Sequence, residues 1–415
     1  MNFSVLSFGC RTNQADACRI ERRLIEDGGV GAAPESADLV VVNTCTVTAA
    51  ADQAARTAIR RVARLNPGAK IVVTGCYAER RPDDIGRLPG VTIVPRLAET
   101  APAEPGPRVA RNEAADAGRV PLRPGDRGRT AYPLRVQTGC DERCAYCIVP
   151  STRGPGRSRP LPLVLGDVRG LADAGFRQVW LTGVHLGSWG RDLEPRSALL
   201  DLLEALDREA ASLDVTFRLS SLEPMDCSDA IVDLLAGSPR FAPHLHLPLQ
   251  HASDAVLTAM RRPYSADRYR EIAARIRERM PDAAIGTDLM AGFPGETDRD
   301  FDVQLQALEE LPVTHVHVFP FSARPGTAAS AMGDRIPGVE IRRRAERLRA
   351  LGQEKTRRFY ERMVGKDLAA LTIADGTTAL TDNYLKVRIP AGRARNERIR
   401  VRVTSADPPA GEVIR

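Results

Sequence analysis

Three cysteines stand close together in the stretch GCDERCAYCIVPSTRG, which spans residues 139–154. Cys140, Cys144 and Cys147 follow the spacing C-x3-C-x2-C. A closed zinc site needs four ligands and a disulfide needs two, and no fourth cysteine or histidine lies nearby in the sequence. Three soft thiolates indicate an iron–sulfur cluster with one iron left open for a substrate or cosubstrate. A small zinc site is the alternative for this loop.

Three further cysteines each follow a predicted strand in the first hundred residues. Cys10, Cys45 and Cys76 come after FSVLSFG, LVVVNT and KIVVTG. Because the carboxyl ends of parallel strands meet at one edge of an open sheet, these thiols should gather there. Gathered thiolates favour a second iron–sulfur site. The alternative is that all three are small, buried hydrophobic residues.

The elements that must position these cysteines follow from the hydrophobic pattern, which indicates an α/β protein. Strands alternating with helices over 1–100 predict a domain with an open parallel sheet. Residues 101–131 are rich in Pro, Gly and Ala and indicate a linker. Six strand–helix units over 132–350 predict a partial (β/α)6 barrel with its active site at the carboxyl ends of its strands. After a basic helix at 340–363, short strands within 351–415 predict a small all-β domain.

Individual strands and helices can also be predicted. The predicted strands of the first domain are 3–9, 39–44, 70–75 and 91–95, and its predicted helices are 13–27, 49–65 and 82–88. The predicted barrel strands are 134–138, 178–183, 215–220, 244–249, 284–290 and 315–320. The loop that carries Cys140, Cys144 and Cys147 therefore follows the first barrel strand.

Composition excludes several classes of protein. With 43% hydrophobic, 27% charged and 5% aromatic residues, the 415-residue chain is neither disordered nor fibrous. No uninterrupted apolar run approaches 18 residues and no basic export signal is evident, so we expect no membrane span and a cytoplasmic location. Eight cysteines in that compartment indicate reduced thiols or metal ligands. A net charge of +6 permits a polyanionic partner without requiring one.

The motif CDERCAYC resembles the signature of the radical S-adenosylmethionine (SAM) enzymes. Together with Cys10, Cys45 and Cys76 upstream, the whole chain apart from the linker resembles the methylthiotransferases, which combine a cluster domain, a radical-SAM barrel and a small β-barrel called TRAM. The motifs that carry this resemblance are FGCRTNQAD, VNTCTV, VTGCYAE, LTGVHLGSWG, RLSSLEP, HLHLPLQ, AGFPGET and FSARPGT. CRTNQ, TGVHLGSWG and RLSSLEP resemble the branch that modifies N6-threonylcarbamoyladenosine at tRNA position 37.

The resemblance implies a tRNA-modifying enzyme with two [4Fe–4S] clusters. Cys140, Cys144 and Cys147 would hold the cluster that binds SAM, whose cleavage yields a deoxyadenosyl radical that takes hydrogen from C2 of the adenine. The second cluster would present a sulfur that another SAM methylates, giving the 2-methylthio product, with sulfide or polysulfide bridging the two clusters. An electron donor and a sulfur source are implied partners, and the cofactors perform the difficult steps.

The resemblance also implies a SAM pocket, and no catalytic residue is predicted beyond the cluster ligands. Tyr146 would lie near the adenine, Gly183 would admit the backbone of SAM, and Ser221 with Glu223 would bind ribose hydroxyls. A core tyrosine and an exposed glutamate are the alternatives for Tyr146 and Glu223. The predicted cofactor-binding residues are Tyr146, Gly183, His185, Ser221, Glu223, Gly292 and Phe293.

Other residues receive less specific predictions. His244 and His246 share one strand face, and with no carboxylate or third histidine in register we favour packing or polar lining over metal binding. Cys18 and Cys227 are predicted to be structural thiols. HLPLQHASD departs from the family pattern, since His251 and Ala252 replace a usual Ser-Gly, and VPRLAE (94–99) lacks a usual Gly-Asn.

The stretch RARNERIRVR near the C-terminus places arginines at alternate positions of a predicted strand. Phosphate contacts from such a face supply affinity without reading sequence. A solvated basic strand is the alternative, and the TRAM resemblance favours RNA. The predicted tRNA-binding residues are Arg393, Arg395, Arg398, Arg400 and Arg402.

Two rival functions stay open from the sequence. The first, from another class, is a nucleic-acid-binding scaffold whose clusters serve only structure, and the absence of SAM cleavage would distinguish it. The second is the same chemistry on another substrate, either isopentenyladenosine in tRNA or an aspartate of a small-subunit ribosomal protein. The products formed would separate these from the threonylcarbamoyladenosine activity.

Overall fold

The structure is a computed structural model, and it describes residues 1–94 and 122–414. Most of the predicted linker, 101–131, and the turn at VPRLAE therefore lie outside the described residues. Within the described ranges, no helix has the length and the hydrophobicity needed to cross a bilayer.

The N-terminal domain is an open, fully parallel sheet covered by helices on both faces. Its strand order is β2-β1-β3-β4-β5, and β2 is a two-residue edge strand that the sequence pattern did not predict. Val40, Val42 and Ile71 pack against one helical layer, whereas Val41 and Val72 face the other. The elements are β1 (Asn2–Ser7), α1 (Arg11–Glu26), β2 (Val30–Gly31), β3 (Leu39–Thr44), α2 (Ala49–Leu65), β4 (Lys70–Gly75), α3 (Cys76–Arg80), α4 (Pro82–Gly86) and β5 (Val91–Ile93).

Helix α2 illustrates how the sequence defines an element of this domain. Thr48 precedes the helix in an extended conformation, and its side chain accepts a hydrogen bond from the Ala51 N–H. Asp52 adds a negative charge to the first turn, where the helix dipole favours it. Ala55, Ile59 and Val62 recur at helical spacing and are buried against the sheet.

The central domain is the predicted partial barrel. Parallel strands form two three-stranded sheets, β6-β9-β10 and β11-β12-β13, joined by the bridges Phe217–Phe241 and Ser221–His246. Its elements are β6 (Tyr132–Arg135), β7 (Gln137–Thr138), α5 (Val149–Arg153), β8 (Arg157–Ser158), α6 (Leu161–Asp173), β9 (Gln178–Thr182), α7 (Leu199–Glu209), β10 (Thr216–Leu219), α8 (Asp229–Gly237), β11 (His244–His246), α9 (Asp254–Ala259), α10 (Ala266–Arg279), β12 (Ala284–Ala291), α11 (Asp298–Glu310), β13 (His315–Pro320) and α12 (Gly338–Met363).

The C-terminal strands close into a small barrel, which confirms the predicted all-β tail. The strands are β14 (Asp367–Ile373), β15 (Thr378–Thr381), β16 (Lys386–Arg388), β17 (Arg398–Ala406) and β18 (Pro409–Ile414), in the order β14-β15-β16-β18-β17. Helix α12 runs through the predicted boundary at residue 350 and leads directly into this barrel. The division into domains by residue number stays a prediction.

The C-terminal barrel packs against the amino end of the central barrel. Arg218 is fully buried and donates hydrogen bonds to the carbonyl oxygens of Thr381 and Asp382, at 3.2 and 2.9 Å. Asn383 donates to the carbonyl oxygen of Asp282 at 2.9 Å. These buried contacts hold the β15–β16 turn beneath the interior of the central barrel.

Candidate active site

The first cysteine triad lies at the carboxyl edge of the N-terminal sheet. Cys10 immediately precedes α1, Cys45 follows β3, and Cys76 begins α3 directly after β4. The strand order reverses between β1 and β3, and doubly wound sheets bind ligands at such a point. Cys10 and Cys45 flank this position, and with Cys76 they lie at the one sheet edge predicted for them from the sequence.

A glycine brings the Cys10 loop into direct contact with Cys45. Gly9 has φ +90°, and a Cβ at this position would lie 2.4 Å from Cys45 Sγ. The sulfurs of the triad also affect one another electrostatically. Burial and then the charge of Cys10 raise the pKa of Cys45 to about 12, and burial raises the pKa of Cys76. Cys45 and Cys76 are therefore desolvated, whereas Cys10 beside them is exposed.

The second triad lies in the loop between β7 and α5, beyond the first barrel strand. The Cys147 N–H donates to the Cys144 carbonyl oxygen at 3.1 Å, which closes a turn, and the Cys140 N–H donates to Gly154 O at 3.1 Å. Burial raises the pKa of Cys140 to about 12 and that of Cys147 to about 11, and neighbouring cysteines of the triad add to both shifts. Iron binding here must displace protons from these thiols.

Arg153, at the end of α5, connects the two triads. It belongs to the loop region of the second triad, yet its buried side chain reaches the first. The acceptors of its hydrogen bonds are Cys76 Sγ (3.3 Å), Thr138 Oγ1 (3.4 Å), Asn13 Oδ1 (2.5 Å) and Asp16 Oδ2 (2.8 Å). Asp16 on α1 also accepts from Arg135 on β6. These ion pairs fix the N-terminal domain against the barrel beside both triads.

A second buried arginine serves the other triad. Arg262 Nη1 donates to Cys144 Sγ at 3.2 Å, and its guanidinium forms an ion pair with Glu223. Each triad therefore has a thiol that accepts a hydrogen bond from a guanidinium, which stabilises a thiolate over a thiol. Neither arginine was predicted, because nothing in the local sequence indicates that they would reach a cysteine.

His185, which was predicted from the sequence to bind a cofactor, is buried beside the second triad, and cofactor binding by it stays a prediction. Its Nδ1 lies 3.9 Å from Cys140 Sγ, and its Nε2 lies 2.7 Å from a carboxylate oxygen of Asp226. The backbone N–H of His185 donates to Gln137 Oε1 at 2.9 Å. Asp226 and Gln137 therefore fix the ring against the cysteine loop.

The strand ends place the other predicted pocket residues around the second triad. Ser221 is exposed after β10, and the carboxylate of Glu223, two residues further along the chain, is paired with Arg262. Gly183 follows β9, where a Cβ would lie 2.9 Å from Gln137 Oε1. The close approach that requires glycine at this position is therefore to Gln137. Binding of SAM by Ser221, Glu223 and Gly183 stays a prediction.

Phe293 and Tyr146 belong to one cluster next to the cysteine loop, and Gly292 directly precedes Phe293. Phe293 is completely buried, and Tyr146 packs half-buried against the same cluster. The N–H groups of Gly292 and Phe293 donate to Glu296 Oε2 at 2.7 and 3.1 Å. The Phe293 side chain thus contributes packing, and these two N–H groups are already occupied within the protein. A cofactor contact by Tyr146 stays a prediction.

From the sequence, no carboxylate or further histidine was found in register with His246. The structure shows that this is wrong. Asp288 on β12 accepts from His246 Nε2 at 2.9 Å and lies 3.4 Å from Nδ1 of His317 on β13. The ligand atoms of these three residues all lie within 4.8 Å of one another, a spacing that could hold a metal ion. Strand pairing produces this arrangement, since Asp288 and His317 are register partners. His244, by contrast, is buried against Tyr384, and polar lining by His246 stays a prediction.

Other predicted residues fall in the interior. Cys18 and Cys227 are both buried, in agreement with structural thiols. His251, which departs from the family pattern, is completely buried, and burial lowers its pKa to about 3. Its Nδ1 accepts a hydrogen bond from the Ser253 N–H at 3.0 Å. Its Nε2 lies 3.8 Å from the carboxylate of Glu296, which accepts the hydrogen bond from the Gly292 N–H.

The basic arginines of the C-terminal barrel do not form one uniform face. Arg398 forms an ion pair with Asp214 (2.9 Å) and donates to Thr216 Oγ1 (2.9 Å), so it holds the C-terminal barrel on the central one. Intramolecular partners also engage Arg402 (Asp367), Arg393 (Glu397) and Arg395 (Gly125 O). Arg400 is exposed on the same strand. RNA binding by the five arginines stays a prediction.

The donor sets fit iron–sulfur clusters better than a single metal ion. With metal–sulfur bonds of about 2.3 Å, the sulfurs that bind one zinc ion lie no more than about 4 Å apart. Among the described residues, neither cysteine triad forms a group with all ligand atoms within 4.8 Å. Three thiols, only some of them buried, with a guanidinium donor at one sulfur suit a multi-iron cluster, whose ligands are spread more widely.

Comparison with known proteins agrees with this chemistry. A model described as "Uncharacterized protein family UPF0004" matches residues 2–94, and the Radical SAM superfamily model matches residues 134–308. Threonylcarbamoyladenosine tRNA methylthiotransferase MtaB of Aquifex aeolicus is 34% identical over 406 residues, with 94% of this chain and 96% of the relative covered. The tRNA-2-methylthio-N(6)-dimethylallyladenosine synthase of Sphingopyxis alaskensis is 36% identical, with 98% and 96% covered. The chain belongs to the radical-SAM methylthiotransferase family.

Solved structures support the fold of this methylthiotransferase. The radical SAM methyltransferase TsrM of Kitasatospora setae matches with a TM-score of 0.55 and 17% identity, covering 79% of this chain and 73% of TsrM. The cobalamin-dependent radical enzyme OxsB matches with a TM-score of 0.51 and 9% identity, covering 84% of this chain and 56% of OxsB. The cofactors of the family are two [4Fe–4S] clusters and SAM.

We expect Arg153→Met to weaken iron binding by the first triad of the methylthiotransferase. The change removes the hydrogen bond to Cys76 and one ion pair of buried Asp16, so the free energy of unfolding should fall by about 1 to 3 kcal/mol. Iron analysis of the protein in which Cys140, Cys144 and Cys147 are also replaced by Ala reports the first triad alone. Arg143→Met, at an exposed arginine of the cysteine loop, is the matched control. Equal iron retention in both variants would contradict the role given to Arg153.

Proposed function

We propose that this protein transfers a methylthio group to C2 of N6-threonylcarbamoyladenosine at position 37 of tRNA. The observation that carries the proposal is the arrangement of two three-cysteine sites, one on each domain, joined by Arg153. Attachment of sulfur to an unactivated carbon needs one site to generate a radical and another to supply sulfur. Relatives that span nearly the full length and are named threonylcarbamoyladenosine tRNA methylthiotransferases support this substrate.

In this proposal each triad binds one [4Fe–4S] cluster. When bound, the clusters and SAM supply reductive cleavage of a sulfonium and a methylated sulfur. The protein contributes burial and charge: Arg262 donates to Cys144, and Arg153 donates to Cys76. His185, held by Asp226, lies beside Cys140 of the second triad. The tRNA, an electron donor and a sulfur source are the proposed partners, in the cytoplasm.

Nucleoside analysis tests the substrate directly. Cells that lack the gene should lose 2-methylthio-N6-threonylcarbamoyladenosine and accumulate its unmethylthiolated precursor, and a plasmid copy should restore the product. The two alternative substrates give different signals in the same mass spectra. Loss of 2-methylthio-isopentenyladenosine, or of a methylthiolated aspartate in a ribosomal protein, with unchanged threonylcarbamoyladenosine products would overturn the proposal. The relatives named as dimethylallyladenosine synthases make the first alternative the one to examine most closely.

The two triads should have separable roles. Anaerobically reconstituted protein should bind about eight irons, four for each cluster. Changing Cys140, Cys144 and Cys147 to Ala should halve the iron and abolish SAM cleavage. The corresponding change at Cys10, Cys45 and Cys76 should also halve the iron but leave part of the cleavage. If both triples lose cleavage equally while they remain folded, the division of roles fails, and if the wild type cleaves no SAM, a structural scaffold is favoured.

Among the C-terminal arginines, Arg400 is the one expected to contact a tRNA phosphate without disturbing the protein. Arg400→Gln should lower the slope of log affinity against log salt by about 0.9 for one phosphate contact, and should weaken all tRNAs alike. Arg398→Gln should instead loosen the packing against Asp214 and lower the thermal midpoint. Filter binding over a salt series and calorimetry distinguish the two effects. An unchanged salt slope for Arg400→Gln would argue against an RNA contact by this strand and direct attention to Arg157, which is exposed near the second triad.

A further inference from the structure

We propose that Arg11 determines substrate specificity by binding the terminal carboxylate of the threonyl group on the substrate adenosine. This inference rests on the proposed function, because only that substrate among the candidates carries a carboxylate on the modified base. Arg11 is the residue directly after Cys10, and it is not a ligand of either cluster.

The side chain of Arg11 leaves the N-terminal domain and enters the interior of the central barrel. Its guanidinium carbon lies 3.5 Å from the centre of the Trp180 ring, on strand β9. Nη2 lies 3.4 Å from the hydroxyl of Tyr384, in the turn of the C-terminal barrel that packs beneath this interior. The next residue, Thr12, meets Thr182 at the carboxyl end of β9, with 3.5 Å between the hydroxyl oxygens. Arg11 therefore reaches inward from a point between the two triads.

The charge of Arg11 has no counter-ion in the described parts of the chain. A guanidinium has five N–H donors. Among the described residues, the only hydrogen bond of the Arg11 guanidinium is the long contact to the Tyr384 hydroxyl. Burial lowers the pKa of Arg11, and the Tyr384 hydroxyl offsets this only in part. Fully buried Arg218 also faces Trp180, at 5.1 Å, and donates only to backbone carbonyls.

The nearby acid is already engaged. Asp288 shares its carboxylate between His246 and His317, as described above, and His317 is close enough to feel the charge of Arg11. A partly buried cation without an acid costs free energy, and a ligand carboxylate would offset that cost. Trp180 holds the planar guanidinium by stacking, which leaves its N–H edge able to form the two parallel hydrogen bonds that a carboxylate accepts.

The chemistry of the substrate matches this position. Sulfur is added at C2, and the threonylcarbamoyl group is attached to N6 on the same edge of the adenine ring. A base held between the triads therefore directs this substituent to a point a few ångströms from the cysteines. Arg11 is one residue from Cys10, and adjacent Cα atoms are about 3.8 Å apart. The isopentenyl group is an uncharged hydrocarbon, so it would leave the guanidinium unpaired.

The proposal is tested on holoenzyme by changing the substrate carboxylate and the Arg11 side chain, separately and together. Anticodon stem–loop RNA is prepared with N6-threonylcarbamoyladenosine and with its methyl ester, which removes the charge and keeps the shape. We expect the ester to lower kcat/KM of wild type by about 10- to 100-fold, the range of a charged hydrogen bond. Arg11→Gln should cause a similar loss on the acid, mainly through KM, and little further loss on the ester. Arg60→Gln, at an exposed arginine on α2, is the control that should leave both substrates unchanged.

Fluorescence anisotropy measures binding of the same RNAs to the holoenzyme. Arg11→Gln should weaken binding of the acid RNA and have little effect on binding of the ester RNA. Iron content and the thermal midpoint of Arg11→Gln show whether the variant is intact, and the ester comparison on wild type needs no variant. Equal losses on acid and ester would assign Arg11 to the RNA backbone or to structure, and no preference of wild type for the acid would also overturn the proposal. If wild type binds the acid selectively through Arg11 but makes no product from it, the proposed function fails while the inference about Arg11 stands.

Discussion

The buried pair of Arg153 and Asp16 is the interaction on which the site depends. Removal of a guanidinium and a carboxylate from water is costly, and the pair is tolerated because the hydrogen bonds of both groups are satisfied within the protein. Asp16 belongs to the N-terminal domain, and Arg153 belongs to the loop region of the second triad. The same side chain therefore fixes the domain orientation and contacts a cysteine of the first triad, so domain docking and the geometry of that triad cannot vary independently.

The same two electrostatic effects, burial and a neighbouring guanidinium, act on both triads. Burial makes the thiolate form unfavourable, and one guanidinium per triad partly compensates at a single sulfur, Cys76 or Cys144. A site of this kind is poor at holding bare thiolates and suited to thiolates whose charge is neutralised by iron. Only one sulfur of each triad accepts a hydrogen bond from an arginine among the described residues. Hydrogen bonds to the sulfurs affect the reduction potential of an iron–sulfur cluster.

Local sequence was sufficient for the long buried strands and for the positions of the cysteines, but not for the two-residue strand β2 or for the partners of the cysteines. Hydrophobic runs such as LVVVNT identified buried parallel strands, and cysteines at the strand ends then had to meet at one edge. By contrast, the approach of Arg153 to Cys76 depends on docking between two domains. The Asp288–His317 pair depends on strand register, which the periodicity of a single strand does not determine. Arg398 alternates with Arg400 and Arg402 as predicted, yet tertiary packing directs it to Asp214.

The interior of the central barrel is completed by all three parts of the chain. Six strands do not close a barrel, and the interior receives Arg11 from the N-terminal domain and Tyr384 from the C-terminal barrel, both against Trp180. Tyr384 also packs on His244, with ring centres 4.4 Å apart, and Arg218 fastens the neighbouring carbonyl groups. The C-terminal barrel is therefore part of the floor beneath the active site. Through Tyr384 the C-terminal barrel contacts Arg11, and Arg11 is adjacent in the chain to Cys10, so all three parts of the chain meet within two residues of the first triad.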